Sequence, residues 1–118
     1  MSKTCPICAY APDNPEYRFL GESTHWRVVL APNQALLGRC VVHLGRHAGD
    51  LAHLTPDEVL EWLAVVERLE AALRAAFQPA LFNWSCYMNH ADRDQQPDPH
   101  IHWWAVPRYR AAVQVAGV

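Results

Sequence analysis

A long helix with clear start and stop signals is the feature of this sequence that most constrains its fold. Residues 55–58 read Thr-Pro-Asp-Glu, a capping box with proline at the first helical position. Apolar residues then recur at helical spacing: Val59, Trp62, Leu63, Val66, Leu69, Leu73 and Phe77. Pro79 ends the pattern because proline lacks a backbone N–H and disfavours a helical residue before it. We therefore predict a main helix over residues 55–78 that packs on a sheet.

Short strand patterns lie on both sides of this helix. Residues 17–21, 26–30 and 39–44 precede it, and residues 81–88 and 100–106 follow it. These segments are rich in β-branched and aromatic side chains and are bounded by turn residues. Because the connections between successive strands are short, we expect antiparallel pairing and an α+β fold.

Length and charge narrow the classes of function. The 118 residues suit one domain, 51% of them are apolar, and the net charge is −2. The ten Lys and Arg residues form no basic run, which argues against a nucleic acid polymer as partner. No stretch approaches the roughly 20 apolar residues of a membrane span. Residues 1–11 lack the apolar core of a signal peptide, so we expect a cytoplasmic protein.

A Cys-x-x-Cys pair near the N-terminus, Cys5 and Cys8, predicts a metal or redox site. Structural zinc takes four tetrahedral nitrogen or sulfur ligands, and His47 and His100 can complete such a set. A redox pair should open a helix inside a βαβ unit, whereas this pair begins the chain with no strand before it. Loose surface thiols are the plainer alternative. Four other histidines could compete with His47: His25, His43, His53 and His90.

Two histidines alternate in the last predicted strand. His100, His102 and Trp104 should share one face, with neighbours on that face roughly 6.5–7 Å apart. That spacing allows one imidazole to bind a metal while the next does chemistry. The alternative is a pair of hydrogen-bonded histidines in a half-buried strand.

The segments around these histidines resemble the histidine triad (HIT) family. The family signature alternates histidine with apolar residues and often ends in Pro-Arg, and residues 100–108 read His-Ile-His-Trp-Trp-Ala-Val-Pro-Arg. Residues 38–47 resemble the family's strand that ends in a basic residue and a histidine, and residues 51–58 resemble its helix entry. The resemblance implies a single domain over residues 1–118, with a five-stranded antiparallel sheet and one main helix. It also implies a homodimer formed through the helix and an adjacent strand.

The resemblance implies a zinc site as well. Some bacterial members of the family hold zinc through a cysteine pair, a histidine after the third strand and the first histidine of the motif. Carried over, these ligands are Cys5, Cys8, His47 and His100, with residues 1–16 as a zinc-knuckle arm. This set agrees with the one suggested by the residues themselves.

The family's chemistry assigns the middle histidine, here His102, as nucleophile on the α-phosphate of a small nucleotide. Dinucleoside polyphosphates and nucleoside phosphoramidates are the implied substrates, and a nucleotidyl-histidine is the implied intermediate. Asn89 and Gln96 lie where the family has residues that contact phosphate. The ring N–H of His102 that is not used for attack needs an acceptor to fix the tautomer, and a backbone carbonyl usually serves.

Three departures from the family pattern keep a catalytically degenerate nucleotide-binding module as the alternative. The third motif position is Trp104, whose indole donates a hydrogen bond but carries no transferable proton. It could stack on a base or sugar, or fill the space of an imidazole. Arg39 stands where many members have histidine, and could hold a phosphate or cover the sheet edge. No Asp or Glu lies between Glu22 and Asp50 to bind a ribose.

Overall fold

The computed structural model of the chain describes residues 5–10, 15–88 and 98–111. Within these residues the five strands and the long helix follow the predicted order, and a short 3₁₀-helix precedes the long one. In chain order they are β1 (Arg18–Glu22), β2 (Trp26–Leu30), β3 (Cys40–Leu44), the 3₁₀-helix η1 (Leu51–His53), α1 (Pro56–Phe77), β4 (Leu81–Ser85) and β5 (His102–Arg108). The strands form one antiparallel sheet in the order β1-β2-β3-β5-β4. The α+β prediction is confirmed.

The helix is capped as the sequence predicts. The Thr55 hydroxyl accepts from the Glu58 N–H at 3.2 Å, and the Glu58 carboxylate accepts from the Thr55 N–H at 2.8 Å. At the other end Gln78 adopts a left-handed conformation with φ of 56° and donates to the Arg74 carbonyl. The reciprocal cap satisfies two N–H groups that the helix itself leaves without acceptors.

The last strand begins two residues later than predicted, at His102. Before that point, Ile101 donates to the Ala48 carbonyl and accepts from the Leu44 N–H. These bonds reach the end of β3 and the loop that follows it, so the chain at His100 lies beside that loop and outside the ladder. The strand β4 likewise ends at Ser85, three residues earlier than predicted.

One face of the sheet is covered by α1 and holds most of the core. Trp26, Val42 and Leu44 are buried there and pack against Trp62 and other helix residues. Trp103 stacks on Trp62 with ring centroids 4.6 Å apart, so it lies behind the sheet as predicted. The indole N–H of Trp26 donates to the Glu58 carbonyl. At about 25 cal/mol per Å², burial of these large side chains dominates the stability of this face.

Gly38 allows the backbone to pass close to this core just before β3. It has a φ of +87°, and a Cβ there would lie 3.1 Å from Leu73 and 3.2 Å from Pro107. Glycine adopts this conformation without a steric penalty. The turn sets the start of β3 and with it the position of Arg39.

The opposite face of the sheet carries Val29, Val41, His43, His102 and Trp104, and the N-terminal segment 5–10 packs over it. None of the described helices is both long enough and apolar enough to cross a bilayer.

Candidate active site and metal centre

A cavity of about 620 Å³ opens on the sheet face that α1 does not cover. His102 and Trp104 of β5 form its floor together with Val41 and His43 of β3. Tyr10, from the N-terminal segment, contributes a wall. Its volume is in the range of small-molecule sites.

His102 is held in a defined tautomer. Its Nδ1 lies 2.7 Å from the carbonyl oxygen of His100. Because a carbonyl can only accept, Nδ1 carries the hydrogen and Nε2 carries the lone pair. The backbone carbonyl expected from the sequence is therefore present. The ring is partly exposed and lines the cavity.

Four donor atoms meet at one end of this cavity. The Sγ of Cys5 lies 3.3 Å from Nδ1 of His100, and the Sγ of Cys8 lies 3.2 Å from Nδ1 of His47. The Sγ of Cys8 is 3.5 Å from Nδ1 of His100, and the two Nδ1 atoms are 3.2 Å apart. Tetrahedral ligands of zinc lie roughly 3.3–3.8 Å from one another, given Zn–N near 2.0 Å and Zn–S near 2.3 Å. The spacing fits a single small cation.

The hydrogen bonds of the two imidazoles strengthen this fit. Nε2 of His100 lies 2.7 Å from the Leu44 carbonyl, and Nε2 of His47 lies 2.8 Å from a carboxylate oxygen of Asp98. Each Nε2 therefore carries the hydrogen, and both Nδ1 lone pairs point at the same spot. Two lone pairs 3.2 Å apart repel unless a cation lies between them. Burial lowers the pKa of His100, which favours the neutral, ligating form.

The local sequence explains how the two thiols reach this point. Cys5 begins a tight turn in which Ala9 donates to the Cys5 carbonyl, and the Cys8 N–H points at the Cys5 sulfur at 3.4 Å. Such N–H contacts stabilise a thiolate. Cys5 is almost fully buried. The knuckle thus brings both sulfurs to one side of the loop that carries His47.

Two residues of the site are not among the sequence-based candidates for their roles. Asp98 orients His47 through the 2.8 Å contact, as carboxylates commonly do for ligating histidines. Its place two residues before His100 is a signal that could have suggested this. His43 was considered as a zinc competitor, but it lies directly opposite His102 in the β3–β5 register. Alternation along β3 could have predicted that position.

His43 is nearly fully buried, and its ring packs edge-on against Tyr10 and His100. Burial is the main cause that lowers the pKa of His43 to about 4, and the nearby charges of His100, Arg27 and His102 lower it further. His43 is therefore neutral near pH 7. It adds a polar but uncharged group beside His102.

Trp104 lines the cavity away from the four donors, and Arg39 stacks on its ring. The guanidinium carbon of Arg39 is 4.1 Å from the centroid of the Trp104 ring, a stacked cation–π contact. The Trp104 ring in turn lies 6.4 Å from the His102 ring, edge to face. Asn89 and Gln96, the predicted phosphate contacts, lie outside the described residues.

Solved structures of similar fold include three bacterial proteins. A HIT family protein from Bacillus anthracis is 25% identical and superposes with a TM-score of 0.73, covering 98% of this chain and 84% of that one. A HIT family member from Bacillus subtilis is 24% identical with a TM-score of 0.68, covering 97% and 81%. A zinc-bound histidine triad family protein from Mycobacterium smegmatis is 23% identical with a TM-score of 0.70, covering 95% and 80%. No family model and no curated protein sequence matches the chain.

Fold, motif and metal-binding geometry agree with one another. The sheet order and the helix match those neighbours, and the four donors meet where the motif's first histidine lies. This chain has the fold of the histidine triad (HIT) family proteins that it resembles, with Trp104 at the third position of the motif.

Proposed function

We propose that this protein cleaves a small nucleotide at its α-phosphorus. The nucleotidyl group is first bound covalently to His102 and then transferred to water or to a second phosphate. The observation that carries the proposal is the 2.7 Å hydrogen bond from Nδ1 of His102 to the His100 carbonyl. It holds the nucleophilic nitrogen, Nε2, in its reactive protonation state beside a cavity large enough for a nucleotide. Dinucleoside polyphosphates and nucleoside phosphoramidates are the proposed substrate classes.

The reaction proceeds in two displacements at the α-phosphorus. The Nε2 lone pair of His102 forms the N–P bond, and the leaving group departs with the electron pair of the bond that breaks. The ring then carries a positive charge, which the His100 carbonyl stabilises at Nδ1–H. Water, or a second phosphate, attacks the same phosphorus, the N–P bond breaks, and its pair returns to Nε2. Asn89 and Gln96 are proposed to orient the phosphate oxygens.

Trapping tests this proposal. The protein is mixed with each candidate substrate, quenched within the first turnover and digested. Mass spectrometry should find a nucleotide monophosphate on the peptide that contains His102. His102→Ala should abolish the adduct, whereas His53→Ala, which alters an exposed histidine away from the cavity, should retain it. Absence of both adduct and turnover across a broad substrate panel would refute the proposal.

We further propose that Cys5, Cys8, His47 and His100 bind one structural zinc ion. The convergent lone pairs and the 3.2–3.5 Å spacings support this, as does the zinc-bound state of the Mycobacterium smegmatis neighbour. When bound, the ion would stabilise the thiolates and fix the arm on the sheet. Purified protein should contain one zinc per chain, and Cys8→Ser should remove it. Cys86→Ser, a thiol outside the cluster, should not.

The thiol ligands suit a reducing compartment, and we propose the cytoplasm on that basis. We also propose a homodimer through α1 and the edge strand β4. Leu60 is 67% exposed and Leu63 is 49% exposed on the outer side of α1, more apolar surface than a helix facing water usually shows. Light scattering should give a dimer mass. Leu63→Asp should yield monomers, whereas Leu20→Asp, on the distant edge strand β1 and equally exposed, should not.

The alternative is a module that binds a nucleotide without turning it over. The stacking of Arg39 on Trp104 favours this alternative, because a guanidinium held in place can bind a phosphate even if no reaction follows. Tight nucleotide binding with no adduct on His102, lost on Asn89→Ala or Gln96→Ala, would support this alternative. A measured hydrolysis that His102→Ala abolishes would exclude it.

A further inference from the structure

We propose that Arg39 and Trp104 form a stacked pair that selects substrates whose leaving group departs as a phosphate oxyanion, and discriminates against leaving groups that need a proton. This inference rests on the proposed nucleotidyl transfer and names the substrate class of that site. The observations behind it are the 4.1 Å stack of Arg39 on Trp104 and the 6.4 Å separation of the Trp104 and His102 rings.

The cavity is poor in positive charge. Among the described residues that line it are the carboxylates of Glu16 and Asp98, and no Lys or Arg of the described ranges is a lining residue. Arg39 carries a positive charge next to the cavity, because it contacts Trp104, which lines it. It lies on the same face of the sheet as Val41 and His43, because side chains alternate along β3. Its guanidinium therefore lies beside the cavity, against a lining residue, and its charge attracts an anion that departs past Trp104.

Trp104 cannot act as a general acid beside His102. An indole N–H can donate a hydrogen bond but does not release its proton near neutral pH. When His102 attacks a phosphoanhydride, the P–O bond breaks and its electron pair leaves on oxygen as a stable phosphate anion. When it attacks a phosphoramidate, the P–N bond breaks and the pair would leave on nitrogen. That nitrogen is far more basic, so it departs readily only if an acid protonates it.

Arg39 and Trp104 therefore both favour phosphoanhydride substrates, each for a different reason. The guanidinium of Arg39 stabilises the negative charge that develops on a phosphate leaving group, and such stabilisation is worth most in a site shielded from water. The indole of Trp104 occupies the position beside His102 without supplying a proton. The stack also fixes the orientation of the guanidinium, since the planar group loses little freedom when held against a ring.

Single-turnover kinetics on two substrates test the inference. A diadenosine polyphosphate and adenosine 5′-phosphoramidate both yield the same adenylyl group on His102, so a difference in adduct formation reports the leaving group alone. We expect the unaltered protein to react at least about 100-fold faster with the anhydride, the scale of a missing general acid. Arg39→Ala should slow the anhydride reaction by about 10–100-fold and should slow the amidate reaction much less.

Two further variants sharpen the result. Trp104→His should speed the amidate reaction by restoring a group that can donate a proton. Arg74→Ala is the matched control, because Arg74 forms a similar stack on Phe82 at 5.0 Å on the helix side of the protein. It should change neither rate. Circular dichroism and zinc content should show that every variant is folded, and if Trp104→His misfolds, Arg39→Ala still carries the test.

The possible results distinguish a failure of this inference from a failure of the proposed function. Adducts that form from both substrates at similar rates, or an Arg39→Ala variant that slows both equally, would overturn the leaving-group role and leave the proposed function intact. No adduct from either substrate would overturn the proposed function and this inference with it.

Discussion

The two faces of the sheet are stabilised by different physics. On the α1 side, large apolar side chains such as Trp26 and Leu44 are buried against the helix, and hydrophobic burial dominates. On the other side, the N-terminal segment 5–10 lies beside a smaller apolar cluster that includes Tyr10, and its Cys5 and Cys8 approach His47 and His100. The same strands thus serve as a rigid support on one face and as the floor of the candidate site on the other. Perturbing one face should leave the other largely intact.

Removing the metal should have the largest effect and should act on the cavity face alone. Structural zinc contributes on the order of 10 kcal/mol of apparent binding free energy in small metal-dependent domains. Chelation should therefore abolish amide hydrogen-exchange protection in segment 5–10, whereas the amides of α1 should keep theirs. Exchange measured by mass spectrometry with and without chelator checks this. Loss of protection throughout α1 would show that the two faces are not independent.

The core of the helix face should respond in the opposite way. Leu73 is buried against Cys40 and Ala105, and Leu73→Ala leaves a cavity there. We expect the free energy of unfolding to fall by about 2–4 kcal/mol, measured by urea denaturation. Zinc content should remain one per chain. Substoichiometric zinc in the folded variant would contradict the separation of the faces.

An ion pair between buried Glu58 and half-exposed Arg46 lies at the start of the helix. Glu58 accepts from the guanidinium of Arg46 at 2.7 and 2.8 Å, and this partner is the main cause that lowers the pKa of Glu58 from 4.5 to about 2. Because the folded pKa is depressed, the stabilisation is present above pH 4.5 and is lost as the pH falls towards 2. The full shift would correspond to about 3–4 kcal/mol, and solvent screening of the half-exposed Arg46 guanidinium reduces the expected contribution to about 2–3 kcal/mol.

Glu58→Gln tests this linkage. The variant should be less stable than the unaltered protein at pH 7 by about 2–3 kcal/mol, and the gap should close below pH 4.5. Both proteins lose metal alike in acid, so the difference between them isolates the carboxylate. A gap that stays constant from pH 7 to pH 3 would contradict the assignment.

The smallest predicted effect concerns Asp98. Asp98→Asn weakens the acceptor for the N–H of His47, and zinc affinity should fall by about 10–100-fold. Competition with a chromophoric chelator measures it. The matched control is Asp50→Asn, which alters the cap of η1 instead and should leave zinc affinity unchanged.

The fold was largely predictable because its signals are local. The capping box at Thr55, the helical spacing and the stop at Pro79 set the helix to within one residue at each end. The convergence of Cys5, Cys8, His47 and His100 was also within reach, since Cys-x-x-Cys and His-x-His have strong spacing constraints. The start of β5 was not, because the chain before His102 leaves the ladder, and Ile101 bonds instead to Leu44 and Ala48, which are distant in sequence.

The side-chain partners in the site were harder to predict for the same reason. The contact of Arg39 with Trp104 joins residues 65 positions apart, and sequence alone left both of them with two interpretations. His43 opposite His102 depends on the strand register, which the order of strands in the chain does not fix. Asp98 acts through one contact with His47, and its place two residues before His100 is the signal that could have suggested it.

The central claim is that two histidines two residues apart have opposite tautomers and separate roles. Long-range ¹H–¹⁵N NMR of the zinc-loaded protein tests it directly. The account predicts hydrogen on Nε2 of His100 with Nδ1 metal-bound, and hydrogen on Nδ1 of His102 with Nε2 unprotonated. Addition of a nucleoside monophosphate should move the Nε2 resonance of His102 and leave His100 unchanged. The same tautomer in both rings, or a His102 resonance that no nucleotide shifts, would contradict the account.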